Sequence, residues 1–400
     1  MRDGNPRRGE RNALKHGLAG DRLRPRVLVS GYYGFQNAGD EAILYALVRG
    51  LESCRPGIEI TVLSADPEHT AGAYGVRAVS RTDPRAVFRA MRACDLFISG
   101  GGGLFQDVTS LASLQYYLGL IALARVLGRP VFIYAQGIGP LETRAGRFLT
   151  RAVLNRVQAV TVRDTRSWDL LRALGVRRPP VEVTADPVLG LVPEAGWRMR
   201  GRELLAAAGV RGGRVAGFSV RPWSGDGDYT GALARVADEL DAAGYRPLFL
   251  PFHHPGDLAA CRAVAARMEA PAVIVEERLD FAALLGLCTH LDLAVGMRLH
   301  FLVFAALAGV VPVGLPYDPK VRLFLDRLEL PAAVRVDRVT PGDLSRAVAA
   351  ALARREALEE ILKTRVEALR REARRTPALA CDLLPGAGNG SGMSKKPVRP

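Results

Sequence analysis

Three basic residues stand at the ends of two very apolar segments. Arg298 and His300 precede the run at 301–308, and Lys320 follows the run at 310–315 in the stretch GMRLHFLVFAALAGVVPVGLPYDPK. A desolvated charge needs a partner, so ionisable groups at both ends of core elements call for an explanation. An anionic ligand supplies one. Arginine offers a planar fork for a carboxylate or phosphate, and Lys320 adds a point charge. His300, near a helix N-terminus, has its cationic form disfavoured by the helix dipole unless an anion binds beside it. A fourth cation, Arg163, ends an apolar segment in TVRD. It either faces the same ligand or pairs on the surface with Asp164, a helix-capping residue.

Glycine-rich loops bring other groups to the same kind of position. GYYGFQNAGDEAIL (31–44) has neither the dinucleotide fingerprint nor a P-loop lysine. Asp40 and Glu41 in its first helical turn suit the dipole but compete with phosphate. The loop therefore suits hydroxyl groups, such as those of a sugar, with Asn37, Asp40 and Glu41 as hydrogen-bonding groups. A helix cap with a tight turn is the plainer reading. SGGGGLFQD (99–107) sets four glycines in a row, at a cost in backbone entropy. Its backbone N–H groups, at Gly101 and Gly102, can meet an anion or a sugar hydroxyl, and Asp107 adds a carboxylate. Close packing against another backbone is the alternative. YAQGIGPL (134–141), SVRPW (219–223) and LPFHHPGD (250–257) end further strands. His253 or His254 either contacts a ligand or is simply solvated.

Repeated strand, glycine turn and helix must position these groups. Strands are expected at 26–30, 58–63, 95–99, 131–135, 159–162 and 181–184, with helices at 40–53, 84–93, 110–127, 143–156 and 165–174. After an expected linker at 187–199, strands follow at 214–220, 245–250, 272–275, 291–295 and 310–315. Helices are expected there at 231–243, 256–269, 281–287, 298–308 and 321–328, with one long charged helix at 344–374. Continuous apolar strands such as RVLVS and DLFIS mean burial on both faces. The fold class is α/β, with two doubly wound parallel sheets, at 26–190 and 200–375, facing a cleft at the carboxyl ends of their strands. Residues 1–25 read as a basic disordered arm and 385–400 as a disordered tail.

Composition bounds the partners. Of 400 residues, 48% are hydrophobic and 24% charged, and the net charge is +14. The excess points to an anionic partner, or reflects an arginine-rich and alanine-rich genome. Five scattered cysteines form no C-x-x-C pair, which fits free thiols in a reducing, cytoplasmic location. The six histidines show no metal spacing. No apolar run reaches the roughly 20 residues needed to span a bilayer.

Taken in order, GYYGFQNAGDEAIL, SGGGGLFQD, YAQGIGPL, VRD, SVRPW, GMRLH and YDPK resemble the polysaccharide pyruvyl transferase family, of the bacterial cell-wall CsaB type, over about residues 26–330. The resemblance implies two Rossmann-like domains arranged as in GT-B glycosyltransferases. It implies transfer of the pyruvyl group of phosphoenolpyruvate to two hydroxyls of one sugar, giving a cyclic ketal and phosphate. In the CsaB type the acceptor is an N-acetylmannosamine residue of a secondary cell-wall polymer precursor, and the ketal anchors surface-layer proteins. The N-terminal half would then face the acceptor and the C-terminal half the donor. Arg163, Arg298, His300 and Lys320 would bind the donor, and Arg298, His300 and Lys320 would also act in catalysis. His300 is the expected acid. Asp40 or Asp107 would take a hydroxyl proton or orient the sugar, and orientation is preferred. Asn37, Glu41, Gly101 and Gly102 would complete the acceptor side. No metal or cofactor is expected beyond phosphoenolpyruvate as co-substrate. The acceptor is expected to be a lipid-linked glycan, and the basic arm could hold the enzyme at the inner membrane face. No nucleic-acid partner is expected, because these cations sit at cleft edges and not on an exposed stripe with interleaved aromatics. The competing reading is a GT-B glycosyltransferase using a nucleotide sugar, for which no ribose-gripping carboxylate stands out.

Overall fold

A computed structural model of the chain describes residues 24–108, 110–331 and 335–386. Nearly all of the basic arm and of the tail lies outside the described residues.

The first half is a parallel sheet of β1 (Arg26–Ser30), β2 (Glu59–Ser64), β3 (Arg77–Ser80), β4 (Leu96–Ser99), β5 (Gly102–Phe105), β6 (Val131–Ile138), β7 (Ala159–Val162) and β8 (Val181–Val183). Its order is β3-β2-β1-β4-β6-β7-β8, with β5 beside β6. The second sheet holds β9 (Arg214–Ser219), β10 (Tyr245–Phe249), β11 (Val273–Ile274), β12 (Leu293–Gly296) and β13 (Pro312–Gly314), in the order β11-β10-β9-β12-β13. Each order reverses once, between β1 and β4 and between β9 and β12. Ligands of open α/β sheets bind at such reversals.

Helices cover both faces of the first sheet, which is why its central strands are apolar throughout. On one face lie α1 (Ala38–Cys54) and α2 (Pro67–Tyr74). On the other lie α3 (Pro84–Ala93), α4 (Leu111–Val126), α5 (Arg144–Leu154) and α6 (Thr165–Leu174), sharing one apolar core. The second half adds α7 (Ala195–Ala207), α8 (Tyr229–Ala242), α9 (Gly256–Ala265), α10 (Phe281–Cys288), α11 (Leu299–Leu307), α12 (Pro319–Arg327), α13 (Pro341–Ala353) and α14 (Arg355–Cys381).

Several expected boundaries shift. Most of the expected linker is folded: a 3-10 turn spans Pro187–Gly190 and α7 begins at Ala195. Trp197 of α7 meets Tyr45 of α1 at 5.6 Å and Phe281 of α10 at 5.7 Å, so an aromatic cluster joins the halves there. The single helix expected at 344–374 is two, divided at Arg354, and the second runs past 375. Its end returns to the first half, where Ala380 joins the core under β1 and α1. Part of the glycine run read as a loop is the short strand β5.

Candidate functional site

A cleft of about 540 Å³ opens between the halves at the carboxyl ends of both sheets. This is the size of a small-molecule site. Arg298 occupies the N-cap position of α11, with one residue between it and the end of β12. Its Nε donates to Asp257 Oδ2 at 2.9 Å and its Nη2 to Asp257 Oδ1. Asp257 is fully buried and also accepts the backbone N–H groups of Phe252 and His253. One edge of the guanidinium is thereby fixed, while the side chain lines the cleft.

Arg163 follows β7 and is 9% exposed. Asp164 caps α6 through the Ser167 N–H, as expected, but lies 3.9 Å from Arg163 Nε. The closer partner is Asp186, whose Oδ2 accepts from Arg163 Nη1 at 3.0 Å. That same oxygen lies 3.6 Å from His300 Nε2, an ion-pair distance too long for a hydrogen bond. Burial pushes the Asp186 carboxyl up, yet His300, Arg163 and the Val188 N–H outweigh it and hold it well below the usual carboxylate range. A buried, ionised carboxylate thus joins the arginine of one half to the histidine of the other. Sequence reasoning missed Asp186. Its signal is a lone aspartate before proline after an apolar strand, which reads as an ordinary turn cap, and it does cap Val188.

His300 lies in the first turn of α11 and rests on Gly39, in the first turn of α1. A Cβ at Gly39 would stand 1.9 Å from His300 Nδ1, so any side chain there would displace the ring. Lys320 Nζ is 3.5 Å from Asp318 and 5.6 Å from the Tyr317 ring. Arg221, from the SVRPW motif, stacks over the same ring at 4.3 Å. Burial raises the Tyr317 hydroxyl, but Lys320, Arg221 and Arg298 more than offset this and leave it below its ordinary value. Arg221, Tyr317 and Arg166 line the cleft as well; the first two fall inside the SVRPW and YDPK motifs but are not among the expected site residues, and Arg166 lies in none of the quoted motifs.

On the opposite lip stands Asp40. It lines the cleft and makes no hydrogen bond or ion pair among the described residues. Burial, reinforced by Glu41, pushes its carboxyl up to about 6 against the pull of His300, Arg163 and Lys320. Gly102, at φ 108°, leaves space for it: a Cβ there would lie 3.2 Å from Asp40 Oδ1.

The other expected acceptor residues divide. Asn37 caps α1 through the Gly39 N–H at 3.1 Å and lines the cleft with Gly102. Glu41 does not line it. Its Oε1 accepts the Gly34 N–H at 2.9 Å and its Oε2 the Tyr74 hydroxyl at 2.6 Å, fastening the first glycine loop to α1 and α2. Gly101 is packed against Ile43 and Pro187 behind the cleft wall. Asp107 accepts from the Glu142 and Thr143 N–H groups and the Thr143 hydroxyl, so both its oxygens are used in holding the loop before α5. Glu41, Gly101 and Asp107 are therefore structural. Neither His253 nor His254 lines the cleft.

The polysaccharide pyruvyl transferase family model matches residues 37–319, which span the cleft from Asn37 to α12. The curated amylovoran biosynthesis protein AmsJ of Erwinia amylovora is 21% identical over 406 residues, covering 86% of this chain and 95% of that protein. Among solved structures, Anabaena HepE in complex with UDP-glucose superposes with a TM-score of 0.62 at 12% identity, over 88% of this chain and 97% of that one. The UDP-GlcNAc 2-epimerase of Neisseria meningitidis gives 0.58 at 11% identity, over 88% and 97%. At such identities these structures establish the fold alone, a GT-B-like pair of α/β domains. The family model covers well over half of the chain, and the chain belongs to the polysaccharide pyruvyl transferase family.

Proposed function

We propose that the protein transfers the pyruvyl group of phosphoenolpyruvate to two hydroxyls of a sugar in a cell-wall polysaccharide precursor, forming a cyclic ketal and releasing phosphate. The observation that carries this reading is the cation cluster of Arg163, Arg298, Lys320 and His300 facing one unpaired carboxylate, Asp40, across a small cleft. The donor bears a carboxylate and a phosphate, and these cations match both without a metal.

In this reading His300 protonates the methylene carbon of the donor, and the adjacent carbon becomes oxocarbenium-like. Asp186 Oδ2, 3.6 Å from His300 Nε2, stands beside the ring and would keep it oriented for this step. One sugar hydroxyl attacks that carbon and gives its proton to Asp40. The second hydroxyl then attacks as the carbon–oxygen bond to phosphate breaks. Of the two hydroxyl protons, one replaces the proton given by His300 and the other leaves with phosphate. Sequence reasoning preferred an orienting role for the carboxylate. The lack of a partner for Asp40 among the described residues, and its raised pKa, support a base instead. We take the acceptor to be lipid-linked, as in the CsaB type, and the reaction to be cytoplasmic, where the donor is made.

The test is phosphate release from phosphoenolpyruvate against a panel of lipid-linked and synthetic acceptors, with mass spectrometry of the product. Phosphate release with a pyruvylated product is expected. A thermal shift with nucleotide sugars and none with phosphoenolpyruvate would instead favour a glycosyltransferase.

A further inference from the structure

The +14 charge is not used up in the cleft. Helices α3 and α5 carry the same surface pattern. In α3 it is Arg85, Phe88, Arg89 and Arg92, and in α5 it is Arg144, Arg147, Phe148 and Arg151, each at i, i+3, i+4 and i+7. That spacing places all four residues on one face of a helix, and all of them are exposed. Phe88 is 42% and Phe148 69% exposed, on the solvent side of amphipathic helices whose opposite faces already fill the core. None of the six arginines is paired with a carboxylate among the described residues. Some arginines elsewhere on the surface are paired along their own helices, as Arg235 with Glu239, Arg322 with Asp326 and Arg355 with Glu359.

Between these rows lies α4, which packs beside both helices. Arg125 is its single charged residue. Its outward residues Ala112, Gln115, Gly119, Ala122 and Val126 are uncharged, and Val126 is 83% exposed. An uncharged strip is thus flanked by two rows of bare arginines, each with a phenylalanine. The strip also leads to the cleft, because Ser113 and Tyr117 of α4 line it.

We infer that the face formed by α3, α4 and α5 docks the enzyme on an anionic phospholipid surface. The arginines match lipid phosphates, at roughly 1 kcal/mol for each basic residue at such a surface. Phe88, Phe148 and Val126 would enter the headgroup and acyl boundary, as the apolar residues of interfacial helices do. Nucleic acid is the competing occupant, because Phe88 and Phe148 could stack on bases; the broad uncharged strip of Ala, Gly and Val between the two rows offers a phosphate backbone no contact and suits a lipid surface better. These residues are distinct in sequence from the basic arm at residues 1–24, and the inference does not rest on the identity of the donor.

The experiment is co-sedimentation of the full chain with vesicles of phosphatidylcholine, alone or with about 30% phosphatidylglycerol to supply the anionic charge. Binding to the anionic vesicles alone, weakening as salt rises, is expected. Arg89→Gln/Arg147→Gln/Arg151→Gln should weaken it about 100-fold, at about fivefold for each arginine. Phe88→Ser/Phe148→Ser should weaken it roughly tenfold by removing the inserted apolar groups. Melting temperature and turnover of a soluble acceptor should not change in either variant, since all five side chains face solvent. Undiminished vesicle binding by both variants, or binding lost only on deleting residues 1–24, would overturn the inference. So would tight binding of duplex DNA through these arginines with no affinity for vesicles. If phosphoenolpyruvate proved not to be the donor, the vesicle result would stand unaffected.

Discussion

At the scale of single residues, position and burial separate groups that look alike in the sequence. Asp40, Glu41 and Asp107 are all carboxylates beside glycine-rich loops. Glu41 and Asp107 have their oxygens taken by backbone N–H and hydroxyl groups, and Asp40 has none taken. Such a difference depends on where distant backbone passes, so residue type and spacing do not carry it. Arg298, His300 and Lys320 were legible because each stands at the boundary of an apolar element, where a charge is expensive. Asp186 was not, since its partners Arg163 and His300 are distant in sequence and come from both halves. The unpaired state of Asp40 leads to a double prediction. Its carboxyl is raised from the ordinary 3.8 to about 6, so ionisation disfavours the folded state. The stability it contributes is fully present below the unfolded pKa and is lost as pH rises through about 6. Asp40→Asn should therefore stabilise the free protein at pH 8 by up to about 3 kcal/mol, and the gain should fade to nothing as pH falls below about 4. The same change should lower turnover by about 10²- to 10⁴-fold, remove the acidic limb of kcat/KM near pH 6, and leave phosphoenolpyruvate binding intact or tighter. Melting curves across pH, with kinetics, read both effects. Normal turnover in the variant, with wild-type phosphate release established, would remove Asp40 from the chemistry.

At the scale of elements, the site depends on the close approach of two helix N-termini. α1 begins beneath α11, and Gly39 is the point of contact with His300. Glu41 fixes the loop before α1 and Asp257 fixes the N-cap residue of α11, so neither end is free to adjust. A glycine in a helix interior usually costs about 0.5–1 kcal/mol relative to alanine, so Gly39→Ala would ordinarily stabilise α1. Here the added methyl collides with the imidazole. Gly39→Ala should lower turnover by about 100-fold, the order expected when a catalytic group is misplaced by about 1 Å. Loss of folding should be small, because the ring can turn towards the open cleft. Turnover near the wild-type level would mean that the position of His300 against Gly39 is not needed for the chemistry. Strand and helix series were readable from apolar runs and glycine turns. β5, α7 and the division of the last helix were not. β5 is four residues with two glycines, and α7 has little amphipathic pattern because Trp197 and Leu205 anchor it at separate points.

At the scale of the whole molecule, two similar α/β halves and the cleft between them follow from the repeated pattern. The way the chain ties the halves together does not. An amphipathic helix declares which of its faces is apolar but not which domain that face will cover. α14 begins against the second half and ends on the first, and its junction is Arg327 at the end of α12. Arg327 Nη1 donates to the carbonyls of Arg163 at 2.6 Å and Thr184 at 2.7 Å, both at strand ends of the first half, while its Nη2 pairs with Glu372 of α14. One guanidinium therefore sets the distance between Arg163 on one side of the cleft and Lys320, on α12, on the other. Both cations are proposed to hold the same small donor, so their separation must be fixed before it binds. Arg327→Ala would leave two carbonyls and a carboxylate without this partner, at about 1–3 kcal/mol for each buried group left unsatisfied. The variant should melt several degrees lower, consistent with such a loss in a chain of this size. It should also raise KM for phosphoenolpyruvate about tenfold or more, with a smaller change in kcat. Arg322→Ala makes the comparison: Arg322 lies on the same helix, but its ion pair with Asp326 is exposed and local. That variant should match wild type in both measurements. If Arg327→Ala lowered the melting temperature without changing KM, the junction would support the fold alone, and the spacing of the donor cations would have to be set within each half.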